Sequence, residues 1–188
     1  MKRIRLEIDQ LHIHRPKRRW KLYFVVATEH PTDSDKMVVS VIPQNTVLVV
    51  PDQNNDVFFE ADSPGANGLY LLSRPMPETR EANVHVYVMH SRRSLNEIGK
   101  ILKDVEHGIG GQSMGILSNI LGTTNPWLVI ARQALPVVGQ ILEKIPDRNM
   151  GFVSMFERFG PEFENEVEVD REVRGGHITM VYSWAVED

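Results

Sequence analysis

Residues 108–142, GIGGQSMGILSNILGTTNPWLVIARQALPVVGQIL, contain one charged side chain, Arg132. The whole chain is 24% charged, so a stretch of that length would ordinarily carry about eight charges. A segment this poor in charge must be covered by the protein's own core, by a partner, or by lipid. Any fold for this chain has to supply that cover. A simple membrane span is not the answer. Segment 126–145 comes nearest to the roughly 18–20 apolar residues of a span, but Arg132, Gln133, Pro136 and Gln140 interrupt it.

The caps around the window turn it into short helices. Ser94-Leu-Asn-Glu97 is a capping box, after which Leu95, Ile98, Ile101, Leu102 and Val105 line one helical face up to Gly108. A second apolar helix is expected from about Ser113 to Leu121, ended by Gly122. Asn125-Pro126 then places an N-cap before a proline at the first helical position, and Pro136 kinks or splits the helix that follows.

On both sides of this insertion the period is that of strands. Ile4, Leu6 and Ile8 alternate with polar residues, and the phase slips to Leu11 and Ile13, which predicts a bulge near Asp9–Gln10. Leu22–Ala27 is apolar on both faces, as a central strand is. Further runs are Met37–Ile42, Val47–Val50, Val57–Glu60, Leu69–Leu72 and Val84–Met89, separated by HPTDSD, PDQNND, DSPGANG and RPMPET turn clusters. After the insertion, Gly151–Phe156 is a strand, and Gly175-Gly176 joins two alternating runs as a hairpin. In the last run Ile178, Met180, Tyr182, Trp184 and Val186 share a face.

Many short strands predict a mainly β fold, an antiparallel β-sandwich with an α-helical insertion of about fifty residues before the last strands. The expected organisation is a single domain over 1–188, with strands in 2–90, the insertion in 94–146 and strands in 150–187. Charge is distributed unevenly. Met1–Lys21 holds eight basic and two acidic residues, whereas Asp147–Asp188 holds ten acidic residues and four arginines. Opposite signs at the two ends favour placing the terminal strands side by side.

Short strands with Asp- and Asn-rich loops and a basic strand region resemble the C2-domain type of β-sandwich. The resemblance rests on Asp33 and Asp35 in HPTDSDK and on Asp52 and Asp56 in PDQNND. It implies calcium held by loop aspartates at one end, and lipid bound by the same loops or by a basic strand face. The family's later Asp-x-Asp loop has no counterpart here, because Val84–Met89 leads into a helix instead.

Several chemistries can be weighed on the residues themselves. Asp33, Asp35, Asp52 and Asp56 offer oxygen ligands for calcium, but Asp and Asn are also the ordinary residues of turns. No other cofactor is expected, and with no cysteine the chain has neither disulfides nor thiolate chemistry. His12 and His14 share a strand face, and His85 could join them from another strand. Arg15, Lys17, Arg18, Arg19, Trp20 and Lys21 gather five positive charges and an indole, suited to anionic lipid or an acidic protein surface. Nucleic acid is disfavoured, because the net charge is −4 and the patch has one aromatic. Gly111-Gln-Ser113-Met-Gly115 matches the nucleophile elbow of serine hydrolases, with Asp147 or Asp170 and His177 in the order of a triad. That elbow needs a strand before the serine and a parallel sheet beneath it, and neither is present in the pattern, so the hydrolase reading is set aside.

The function expected is a non-enzymatic binding or assembly module that engages a protein partner, itself, or an anionic membrane surface. A calcium-dependent lipid-binding domain is the alternative. The N-terminus alternates charged and apolar residues and lacks a signal-peptide core, so the expected location is cytoplasmic, with peripheral attachment to a membrane as a variant.

Overall fold

The computed structural model describes residues 2–14, 19–30, 33–42, 48–50, 55–59, 69–91, 147–163 and 169–188. The helical insertion expected at 94–146 lies outside them. Among the described residues the chain forms ten β-strands. They are β1 (Arg3–Ile13), β2 (Trp20–His30), β3 (Asp33–Ile42), β4 (Leu48–Val50), β5 (Asp56–Phe58), β6 (Leu69–Pro75), β7 (Glu81–His90), β8 (Arg148–Arg158), β9 (Val169–Gly175) and β10 (Ile178–Glu187).

These strands make two antiparallel sheets. In the first, β1 and β10 are central, β9 borders β10, and β5 and β6 lie end to end along the other edge of β1. In the second, β2 and β7 are central, β8 borders β7, and β4 and β3 lie end to end along β2. The opposite charge of the termini is matched by pairing of the terminal strands, from Arg3 opposite Glu187 to Ile13 opposite Ile178. Arg5 forms an ion pair with Glu187 across that ladder and another with Glu7 on its own strand.

One core fills the space between the sheets. Ile4, Leu6, Ile8, Leu11 and Ile13 from β1 and the alternate residues of β10 meet Trp20, Leu22, Phe24 and Val26 from β2 and the alternate valines of β7. The bulge after Ile8 keeps Leu11 and Ile13 on the inner face, as the phase slip predicts. The β9–β10 hairpin turns at Gly176, whose φ of 61° is a left-handed conformation that glycine adopts without a Cβ clash. There the two sheets also meet edge to edge. The His177 amide donates to the Met150 carbonyl at 2.9 Å, and a methyl group on Gly151 would run into the Gly175 carbonyl oxygen.

Outward-facing residues differ sharply between the sheets. On the first sheet they are mainly polar, from exposed Arg3 and Glu172 through half-buried Arg5, Gln10, His12 and Thr179 to buried Glu7 and Ser183. On the second, Tyr23, Val25, Ala27, His85, Tyr87 and Met89 face away from the common core and are nonetheless buried. Strands β2 and β7 are therefore buried on both faces, which is why LYFVVA shows no polar alternation.

Candidate functional site

A polar cluster lies on the outer face of the first sheet, where β5 meets β1. The β5–β1 register sets Asp56 opposite His12 and Phe58 opposite Gln10. His12 donates from Nδ1 to Asp56 Oδ1 at 2.6 Å, and Gln10 Nε2 donates to the same oxygen at 3.2 Å. The His12 hydrogen bond, ahead of any other influence, holds the Asp56 carboxyl below its ordinary value. Next to it the His14 ring stands edge-on to His12, centroids 4.8 Å apart, and its Nε2 shares a hydrogen bond with Thr179 Oγ1 at 2.9 Å. Residual desolvation, and then the charges of Arg174, His12 and His177, lower the His14 pKa.

Gln10, His12, Asp56, Glu172, Thr179 and Val181 line a pocket of about 230 Å³ on this face. Along the sheet edge Phe58 is 59% exposed and Tyr70 is 41% exposed, with the Arg5 guanidinium 5.6 Å from the Tyr70 ring centroid. The hydroxyl in the pocket, Thr179, is hydrogen-bonded to His14.

The residues singled out from sequence fare differently. Asp56 enters this cluster. Asp33 and Asp35 start strand β3, with Asp33 opposite His30, where the turn-cluster reading placed them in a loop. His14 bonds to His177 and His177 to Met150, and Met150 lies at the end of β8 that borders Tyr23 through β7. The Asp56 end of the sandwich is thus the end where β2 begins, while Asp33 pairs at the end where β2 finishes. Seven residues of strand from Tyr23 to His30 amount to roughly 20 Å, too far for one ion. Asp52 lies outside the described residues. Among the described residues no group of three or more His, Asp or Glu is placed to hold a metal ion.

Arg15, Lys17 and Arg18 also lie outside the described residues. Arg19 and Lys21 are exposed, but Trp20 between them is 1% exposed and packs edge-on to His90 in the core, so its indole is not available to a surface ligand. The alternation Trp20, Leu22, Phe24, Val26 carries that signal, and the flanking charges obscure it. His85 does not join His12 and His14, because β7 belongs to the other sheet. It is 2% exposed, stacks on Phe152 at 5.9 Å, and neither ring nitrogen has a hydrogen-bond partner among the described residues. Burial lowers its pKa. Ser113 lies outside the described residues, and Asp170 sits opposite Ser183, at the far end of β9 from His177. Asp147 accepts a hydrogen bond from the Tyr23 hydroxyl at 3.0 Å, and burial first, then Asp147, raises the Tyr23 pKa.

No family model matches the chain, and no curated protein sequence matches it. Among solved structures, that of Drosophila C2-DSL-EGF1 aligns with 99% of this chain and 67% of its own, at 8% identity and a TM-score of 0.43. A likeness of that size carries no weight for the fold or the site, which rest on strand pairing and packing. Among the described residues no helix is long and apolar enough to cross a membrane.

Proposed function

We propose that this chain is a non-enzymatic binding and assembly module that engages a protein partner, or a second copy of itself, through the outer face of its first sheet. The observation that carries this reading is the exposure of Phe58 and Tyr70 beside the fixed Gln10–His12–Asp56 network. Exposed aromatics with a polar surround are characteristic of protein interfaces, where Tyr and Phe supply rigid contact area. The resemblance to C2 domains enters here as architecture, with two antiparallel sheets and recognition groups gathered toward one end.

A second reading, attachment to an anionic surface, is favoured by one observation. Arg19 and Lys21 are exposed at the end of the sandwich that also carries exposed His14 and Arg174. Both readings are tested on the intact chain by light scattering and by co-sedimentation with phosphatidylserine vesicles. The first expects a concentration-dependent oligomer, or a complex with a purified partner, that Phe58→Asp with Tyr70→Asp disrupts while the circular dichroism spectrum is unchanged. Insensitivity to that pair would remove the first sheet from the reading. The second expects vesicle binding lost with Arg19→Glu and Lys21→Glu.

The helical insertion at 94–146 belongs to the same proposal. The chain departs after Ser91 and returns at Asp147, and His90 and Arg148 are paired neighbours at one end of the second sheet. Both ends of the insertion therefore start beside the sheet whose outer face is apolar and buried. Its uncharged window has the composition to cover that face.

A further inference from the structure

The pocket beside His12 is rich in hydrogen-bond acceptors and carries two carboxylates. Each of its polar side chains, Gln10, His12, Asp56, Glu172 and Thr179, can accept a hydrogen bond. His12 spends its Nδ1 hydrogen on Asp56. The Gln10 amide likewise donates to Asp56, which leaves its carbonyl oxygen for other partners. Both members of the His12–Asp56 pair remain within reach of a ligand, at 38% and 40% side-chain exposure. A matching ligand brings donors and positive charge. The volume is about 230 Å³. Pockets that enclose whole small molecules are roughly 300–1,000 Å³, so this one has room for a head group on a stalk.

We propose that this pocket receives the guanidinium of an arginine presented by a protein partner, with Asp56 and Glu172 as its anionic walls and Phe58 as a stacking flank. The inference rests on the binding-module reading and names the anchor that such a partner would use. A guanidinium fits because it is planar, carries five donors and stacks on aromatic faces. Paired donors also meet carboxylates more strongly than neutral groups do. A lysine ammonium satisfies the charge but concentrates its donors at one point. A polyol satisfies the acceptors but forgoes the charge of two carboxylates. Arginine is also among the residues that most often anchor protein interfaces. Arg174 lies two residues from Glu172 on the same face of β9 and offsets part of the negative rim, so the contact should be salt-sensitive.

The test is a nitrogen-15 NMR titration of the whole chain with Ac-Gly-Arg-Gly-amide and with its citrulline and lysine counterparts, and with glucose. Citrulline keeps the shape of arginine without its charge. Saturable shifts of the Gln10, Thr179 and Val181 amides by the arginine peptide are expected, with citrulline and glucose at least tenfold weaker and lysine intermediate. Glu172→Gln, an exposed strand position that leaves the fold intact, is expected to weaken the arginine peptide about tenfold, as is Asp56→Asn. Equal response to arginine and citrulline, preference for glucose, or no saturable shift overturns the proposal. If the arginine peptide fails while Phe58→Asp with Tyr70→Asp still disrupts association, the arginine pocket falls and the binding module stands. If neither responds, both fall.

Discussion

The outer face of the first sheet around His12 contrasts with the outer face of the second sheet's central strands. On the first sheet His12, Thr179 and Val181 are half-buried and Phe58 projects into solvent. On the second sheet, at equivalent outward positions, Tyr23, Val25 and Ala27 are 0% exposed. The central strands of the second sheet are committed to packing on this side, whereas the first sheet opens to solvent around His12 and Phe58 while Glu7 and Ser183 on the same face stay buried. A change of charge should therefore cost very different amounts on the two. Val25→Asp places an unpaired carboxylate in an apolar layer, and we expect a loss on the order of 4 kcal/mol, a large part of a typical domain's stability. Tyr70→Asp, half exposed but opposite Glu7, should cost about 1 kcal/mol. Urea denaturation of both variants measures this directly. Equal midpoints would mean that the second sheet's outer face is not part of the packed interior.

His85 sharpens the comparison at an intermediate scale. It sits in the apolar layer of the second sheet with no partner for either nitrogen among the described residues, so its protonation is disfavoured there. Its folded pKa is below the ordinary 6.5, so the unfolded chain binds the proton first as pH falls. Stability should thus be level above about pH 7 and decline as pH drops below about 6.5 toward the depressed folded value. His85→Leu removes an unsatisfied buried group of similar bulk. It should raise stability by about 1 kcal/mol at neutral pH and flatten the decline between pH 6.5 and 5. A decline unchanged in the variant would assign it to other groups.

The contrast also explains what could be read in the sequence. Period-2 patterns give local facts, and these are present in the structure. The slip after Ile8, the two-faced apolar run of β2 and the turn at Gly176 are all set by neighbours along the chain. Pairing of β1 with β10 was legible because the charges of the termini are opposite. The His12–Asp56 cluster was not legible, because it depends on a three-residue strand, Asp56–Phe58, finding β1 from more than forty residues away. Nothing near Asp56 specifies that partner. Trp20 shows the converse failure. Its place in the core follows from the alternation that continues through Phe24, yet Arg19 and Lys21 on either side make it look like a surface anchor. Asp33 and Asp35 fail for a third reason, since a cluster rich in Asp and Ser reads as a turn even where it begins a strand.

The smallest effect belongs to the open face and separates the two faces by pH. The His12–Asp56 pair is about 40% exposed on each side, so solvent screens it and its loss should barely move the unfolding midpoint at neutral pH. Asp56 has its carboxyl held below the ordinary 3.8 by the His12 hydrogen bond. The sign is the same as for His85, since both folded values are depressed and both contributions are lost as pH falls, and only the window differs. The Asp56 contribution is present above about pH 4 and fades as pH falls through the folded value. Asp56→Asn should therefore leave the decline between pH 6.5 and 5 untouched and alter only the limb below about pH 4. Unfolding midpoints measured in half-unit steps from pH 7 to 3 resolve the two windows. An unchanged limb below about pH 4 in Asp56→Asn would mean that the His12 hydrogen bond does not hold this carboxyl down, and the open face would have no part in the acid response.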